Sequence, residues 1–169
     1  MDLFKSIKTF KDLKKLKACQ GTHWPDTKIL EDAGIKVVKN TRYEAMFLQV
    51  QYDRCDYFPR GVHEAYSEIQ VRKDKYKDLM LYDKLIIYYP FPMYFFVAKE
   101  NKLLAQRVKQ GLLHMINNGS FDEFMKENKI TNHLFPLEKW INSKMFELNN
   151  LYLSKDTNFK DKMLWIVKE

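Results

Sequence analysis

Between residues 16 and 76, strand-forming and helix-forming stretches alternate three times, and this alternation limits the fold more than anything else in the chain. Residues 16–20, Ile35, Val37 and Val38, and residues 55–58 are short runs of strand type. Residues 25–33 carry Ile29, Leu30 and Ala33, with Gly34 as a stop just past the helix end. Tyr43, Met46, Phe47 and Val50 fall at i, i+3, i+4 and i+7, the spacing of one helix face. Thr41 and Glu44 have capping-box spacing ahead of them. Residues 62–76 continue the pattern with Val62, Ala65, Tyr66 and Ile69. Strands that alternate with helices in this order predict an α/β fold built on a parallel sheet.

The first strand-to-helix junction is the natural ligand corner. It reads Cys19-Gln20-Gly21-Thr22-His23-Trp24-Pro25-Asp26-Thr27. Gly21 permits backbone conformations that other residues resist. Thr22 suits a helix cap and Pro25 a first helical turn. The N–H groups of such a start can hold an anion or a carboxylate. Gly21 and Thr22 serve equally as the turn and cap of any α/β unit. His23 reads as a surface histidine or a ligand group, and Trp24 as a stacking wall or a core lid. Asp26 either faces the ligand or simply favours the helix start electrostatically. Arg60 follows Pro59 at a strand end, where open α/β sheets bind ligands, and its alternative is a surface ion pair. Glu64, one helical turn later, is placed to orient or neutralise it.

The second half opens with an aromatic run over residues 79–89, rich in strand formers. Pro90-Phe91-Pro92 breaks it, because two prolines so close exclude helix and most sheet pairing. Residues 94–98 are expected to resume as a buried strand. Residues 101–118 carry Leu104, Val108, Leu112 and Met115 as a helical stripe that ends at Gly119. Ser120 and Glu123 are spaced as a capping box for a second helix bearing Phe121, Phe124 and Met125. Beyond Lys129 the pattern weakens, with Trp140, Met145, Phe146, Leu148, Leu151 and Leu153 as anchors among short helices and loops. Upstream, Ile7, Phe10, Leu13 and Leu16 suit a short helix or turn.

With 46% hydrophobic residues the chain can bury a core. Its net charge of +7 comes from scattered lysines with no nucleic-acid-binding motif, so no nucleic-acid partner is expected. Cys19 and Cys55 read as two buried thiols, or as a disulfide if their strands are neighbours. Without CxxC spacing they do not suggest zinc, and His63-Glu64 gives only two metal ligands. Cys19 lies inside a strand, away from the polar setting a nucleophile needs. Phosphate-loop and Ser-His-Asp patterns are absent, so the expected role is non-catalytic, without metal or cofactor. No apolar run has the length of a signal peptide core or a membrane span, which as written predicts a cytoplasmic chain.

A set of residues then points further. It comprises Asp12-Leu13, the stretch Gly21 to Thr27, Ile29-Leu30, Gly34 and the stretch Arg54 to Gly61 with Glu64. It continues through Tyr89-Pro90, Tyr94-Phe95-Phe96-Val97, Leu103-Leu104-Ala105, Gly111-Leu112 and Asn118-Gly119-Ser120-Phe121. Taken in order, these resemble the second half of a type 2 periplasmic binding protein, in particular the bacterial solute-binding proteins of family 3, the amino-acid-binding-like group. The resemblance implies a periplasmic binding protein-like II fold, in which two α/β lobes joined by a hinge close on a small polar solute. Residues 1–11 would be a lead-in and 12–89 the parallel-sheet lobe two. Residues 90–92 would be the hinge crossing, and 93–169 the mostly helical closing part of lobe one. Nothing in the sequence corresponds to the opening half of lobe one, so the expectation is an incomplete module. The arginine of that half, which holds the solute carboxylate in amino-acid-binding members, has no counterpart. In those members a carboxylate lies where this chain has Arg60.

By this resemblance the ligand-binding set is Gly21, Thr22, His23, Trp24, Asp26, Arg60 and Glu64. The partners would be an ABC transporter permease or a membrane sensor, and the compartment the periplasm. The contrasting expectation is a structural or interaction protein without a ligand. Its helical faces at Leu104, Val108, Leu112 and Phe124 would be covered by self-association into a homo-oligomer.

Overall fold

The computed structural model describes residues 2–159, 161 and 163–165, and its architecture is mixed α/β with small parallel sheets. The chain opens with α1 (Asp2–Lys5) and α2 (Phe10–Leu13). Thr9 and Asp12 cap α2 reciprocally: the Thr9 hydroxyl accepts from the Asp12 N–H, and the Asp12 carboxylate accepts from the Thr9 N–H at 3.0 Å. The order continues β1 (Lys17–Gly21), α3 (Pro25–Asp32), β2 (Lys36–Asn40), α4 (Tyr43–Gln51) and α5 (Val62–Arg72). It then runs β3 (Leu85–Tyr88), α6 (Lys102–Asn117), α7 (Ser120–Glu127), a 3₁₀ turn (Asn132–Leu134), α8 (Glu138–Ile141) and β4 (Lys144–Glu147).

β1 pairs in parallel with β2, from Lys17 opposite Lys36 to Gly21 opposite Asn40. From Ala18 on, β1 is buried on both faces, as a central parallel strand should be. α3 crosses from β1 to β2 and places Ile29 and Leu30 in a core with Ile7, Leu13, Ala18, Ile35 and Leu148. Pro25 stands in the first turn of α3, and Gly34 closes the helix with φ at 81°. α4 turns Met46 and Phe47 inward, beside a smaller core formed with Cys19 and Cys55. These two cysteines are joined as a disulfide with Cα atoms 5.6 Å apart, which settles their alternative readings.

The third strand expected at 55–58 is reduced to one parallel bridge between Ala18 and Tyr57. The Cys19 N–H donates to the Tyr57 carbonyl at 2.7 Å, and the Asp56 N–H to the Lys17 carbonyl at 2.8 Å. The Asp56 carboxylate then takes the Lys17 N–H itself at 2.6 Å. The ladder is stopped there by a side chain and at its other end by Pro59, which has no N–H to give.

β3 pairs in parallel with β4, from Leu85 opposite Lys144 to Tyr88 opposite Glu147. Leu85, Ile87 and Phe146 pack on the core that β1 and α3 build. The segments on either side of Pro90-Phe91-Pro92 therefore share this sheet.

Several local expectations are corrected. Thr41 and Glu44 form no capping box, because Arg42 is the cap of α4 and Glu44 is drawn to Arg72, Lys75 and the Tyr76 hydroxyl. Ser120 lies inside α7 rather than capping it. The cap is Gly119, with φ at 82°, and Ser120 bonds the Asn118 side chain. α6 runs as expected, capped by the Asn101 side chain, which accepts from the Leu104 N–H. Residues 94–98 are neither a strand nor buried: Phe95 is 73% exposed and Phe96 91%. The Pro90-Phe91-Pro92 break carries the chain off β3, and no neighbouring strand receives it among the described residues. No helix among the described residues is long and apolar enough to cross a membrane.

Candidate functional site

The carboxyl ends of β1 and β2 lie side by side because Gly21 is in register with Asn40. The chain leaves both ends toward helix starts, α3 after β1 and α4 after β2. A pocket of about 80 Å³ opens between them, lined by Thr22, His23, Trp24, Asn40, Thr41 and Tyr43 with Gly21 and Met46 beneath. This edge is where open parallel sheets carry ligands.

Three contacts hold the corner. The Thr22 N–H donates to the Asn40 carbonyl at 2.9 Å, which extends the ladder one step. The buried Thr27 hydroxyl donates to the Gly21 carbonyl at 2.6 Å and ties α3 to the end of β1. The Asn40 side chain accepts the Arg42 N–H at 2.8 Å and shapes the turn into α4.

Gly21 is required here, but not for a left-handed backbone, since it is absent from the positive-φ residues. A Cβ at position 21 would lie 2.5 Å from the Trp24 ring. The glycine is what lets the indole lie flat on the strand end. Thr22 does not cap α3 either. The cap position belongs to Trp24, which makes no side-chain cap bond.

The proposed site residues divide by what their polar groups already do. Asp26 accepts the Tyr89 hydroxyl at 2.6 Å, and burial together with that carboxylate pushes the tyrosine pKa up. Arg60 does not reach the pocket. Its guanidinium donates twice to Glu68, at 2.8 Å each, and lies 3.0 Å from Glu64. It also sits over the rings of Trp24, Tyr43 and Phe58, with centroids 5.0 to 5.6 Å away. Glu64 accepts the Gly61 N–H at 3.0 Å, which fixes the start of α5. Burial raises the Tyr43 pKa to about 12, helped by its bond to Glu68. These charges are spent on one another and on the fold.

The Thr22 hydroxyl, the His23 imidazole and the Thr41 hydroxyl, by contrast, make no hydrogen bond among the described residues. The pocket therefore gathers uncommitted donors and acceptors beside the positive ends of α3 and α4, an arrangement suited to a small polar or anionic group. Its volume is well under the roughly 300 Å³ of a pocket that encloses a whole ligand. A pocket of this size has room for one end of a molecule only.

The corner thus unites Gly21, Thr22, His23 and Trp24 of the expected set and leaves out Asp26, Arg60 and Glu64. Asn40 and Thr41 belong to it as well, although the sequence gives Asn40 no role and Thr41 only that of a helix cap. Their signal is positional, since polar residues just past the second strand of a parallel pair must lie beside the end of the first. Cys19 is a disulfide cysteine and no thiol nucleophile. No group of three or more His, Cys, Asp or Glu among the described residues is placed to hold a metal ion. No protein family, curated protein or solved structure matches the chain.

Proposed function

We propose that this chain is a non-catalytic solute-binding module of the transport or sensing type, with a periplasmic binding protein-like architecture. One observation carries the reading. At the carboxyl ends of β1 and β2, Thr22, His23 and Thr41 direct unspent polar groups into one small open pocket, while the nearby charged residues are spent on structure. Trp24 and Tyr43 supply flat apolar walls beside it. The solute class is a small polar molecule bearing an anionic or strongly hydrogen-bonding end. In this reading the corner is one wall of a cleft, and closure of a second wall is what a transporter permease or membrane sensor detects. The Cys19–Cys55 disulfide supports an oxidising compartment such as the periplasm.

The test is an amide-resolved NMR titration of the whole chain with acetate, glycine, glutamate and phosphate. The expected result is weak saturable binding, in the millimolar range, with shifts confined to His23, Trp24, Asn40 and Thr41. His23→Ala should abolish the shifts at Thr41 without altering the folded spectrum elsewhere. Absence of saturable shifts for all four compounds, or shifts centred elsewhere, overturns the reading.

A further inference from the structure

Residues 93–97 form the most exposed apolar stretch of the chain: Met93 is 84% exposed, Phe95 73% and Phe96 91%. They run without helix, strand, turn or bend, and their backbone groups make no hydrogen bond among the described residues. Aromatic and β-branched residues in this density are strand formers, yet this strand has no partner here. Unpaired backbone does not enter lipid hydrocarbon, which argues against a membrane as the cover. The missing cover must supply strand hydrogen bonds.

The prolines identify it. In an extended strand, successive N–H groups point to opposite edges. Pro90 and Pro92 remove donors from the even-numbered edge. The odd-numbered edge, formed by Phe91, Met93, Phe95, Val97 and Lys99, keeps every donor. Only one edge is competent, and a one-edged strand pairs without propagating into a fibre.

We propose that this edge joins two copies of the chain in an antiparallel, two-fold pair centred on Phe95. In that register Phe95 exchanges both backbone hydrogen bonds with its counterpart, and Met93 faces Val97. Tyr94 meets Phe96 in the closer, non-bonded positions, and Pro92 falls opposite Ala98 where no donor is needed. Lys99 comes opposite Phe91, so no like charges are paired between 91 and 99. A parallel in-register pair would set Lys99 against Lys99. The self-complementarity of this register is why the partner is a second copy. Leu103 at the start of α6, 79% exposed, extends the apolar surface next to it. The inference uses none of the residues that line the solute pocket.

The test is sedimentation velocity with light scattering on the full chain across protein and salt concentrations. The expected result is a dimer that dissociates on dilution and tightens with added salt, since each copy carries +7. Phe95→Pro removes a donor from the competent edge and should weaken dimerisation by more than about tenfold. Ala98→Pro removes one from the edge already blocked, where Ala98 faces only Pro92, and should change it by less than about threefold. Circular dichroism of both variants should match the parent, because neither replaced N–H makes a backbone hydrogen bond among the described residues. A monomer at all concentrations, open-ended growth, or equal effects of the two prolines overturns the proposal.

Discussion

The guanidinium of Arg60 meets the carboxylate of Glu68 through two hydrogen bonds of 2.8 Å, with both side chains only 14% exposed. The guanidinium sits against the rings of Trp24, Tyr43 and Phe58, so its charge is shielded from water by aromatic faces. Arg60 is a strut between the first turn region of α5 and the aromatic wall. Arg60→Ala should destabilise the fold by about 3 kcal/mol, because the largely buried Glu68 loses its bidentate partner and keeps only the Tyr43 bond. Arg60→Met with Glu68→Met should recover most of the loss. Urea unfolding of the two singles and the double checks this; additive losses would mean that the fork contributes nothing as a pair.

Acid sensitivity follows from the same cluster. Burial would raise the Glu68 pKa, but the bonds from Arg60 and Tyr43 outweigh it and leave it below its ordinary 4.5. The Arg72 bond does the same for Glu44, with Tyr76 and Lys75 adding to it. A depressed carboxyl pKa contributes stability that is complete above the unfolded value and is lost as pH falls through the folded one. Stability should therefore decline below pH 4.5. Tyr43 acts at the other end. Its pKa is raised from 10 to about 12, so its contribution is complete below pH 10 and is lost between 10 and 12. Thermal melts across pH check both limbs. Glu68→Gln should make the acid limb shallower, with Glu44 still contributing to it, and Tyr43→Phe should do the same for the alkaline limb, where Tyr57 and Tyr89, also raised by burial, keep the rest.

What the sequence could show depended on whether the cause was local. The alternation through residue 76 is legible because each helix carries its own apolar face and stop, as Ile29, Leu30 and Gly34 do. The pocket was half legible: Gly21 to Trp24 announce a strand end, but Asn40 and Thr41 join it only through β1–β2 register. Arg60 looked like a ligand group because nothing near it in sequence reveals that Glu68, two turns into α5, reaches back to it. β4 is not legible because only two apolar residues, Met145 and Phe146, stand between Lys144 and Glu147, and its partner β3 is far away in the chain. Residues 94–98 have the composition of a buried strand without a neighbour to bury them. Composition reports what a segment needs, not whether the need is met.

The disulfide should dominate the response to reductant. Cys19 and Cys55 close a 36-residue separation, and loop-closure entropy alone assigns such a crosslink about 4 kcal/mol. The native chain should show no reactive thiol with Ellman's reagent. Dithiothreitol, or the Cys19→Ser with Cys55→Ser pair, should lower the melting temperature markedly. Two titrating thiols in the untreated folded protein would refute the crosslink and with it the argument for an oxidising compartment.

Gly21→Ala tests whether the pocket and the indole are one construction. The added Cβ would lie 2.5 Å from the Trp24 ring, and the ring cannot recede freely because Phe58 stacks on it at 6.1 Å and Arg60 covers it. The indole must tilt, at a cost of about 1–3 kcal/mol for an overpacked contact. Tilting it opens the wall beside Thr22 and His23 and loosens the Arg60 seat at the same moment. The variant should lose stability, shift its tryptophan fluorescence to the red and lose the acetate-induced shifts at His23 and Thr41. Gly34→Ala is the matched control. It strains a left-handed glycine at φ 81°, costing about 1 kcal/mol, far from the pocket, and should leave those shifts intact. If both variants retain the shifts, Trp24 is not a wall of the binding site; if both lose them, the loss reports stability rather than the pocket.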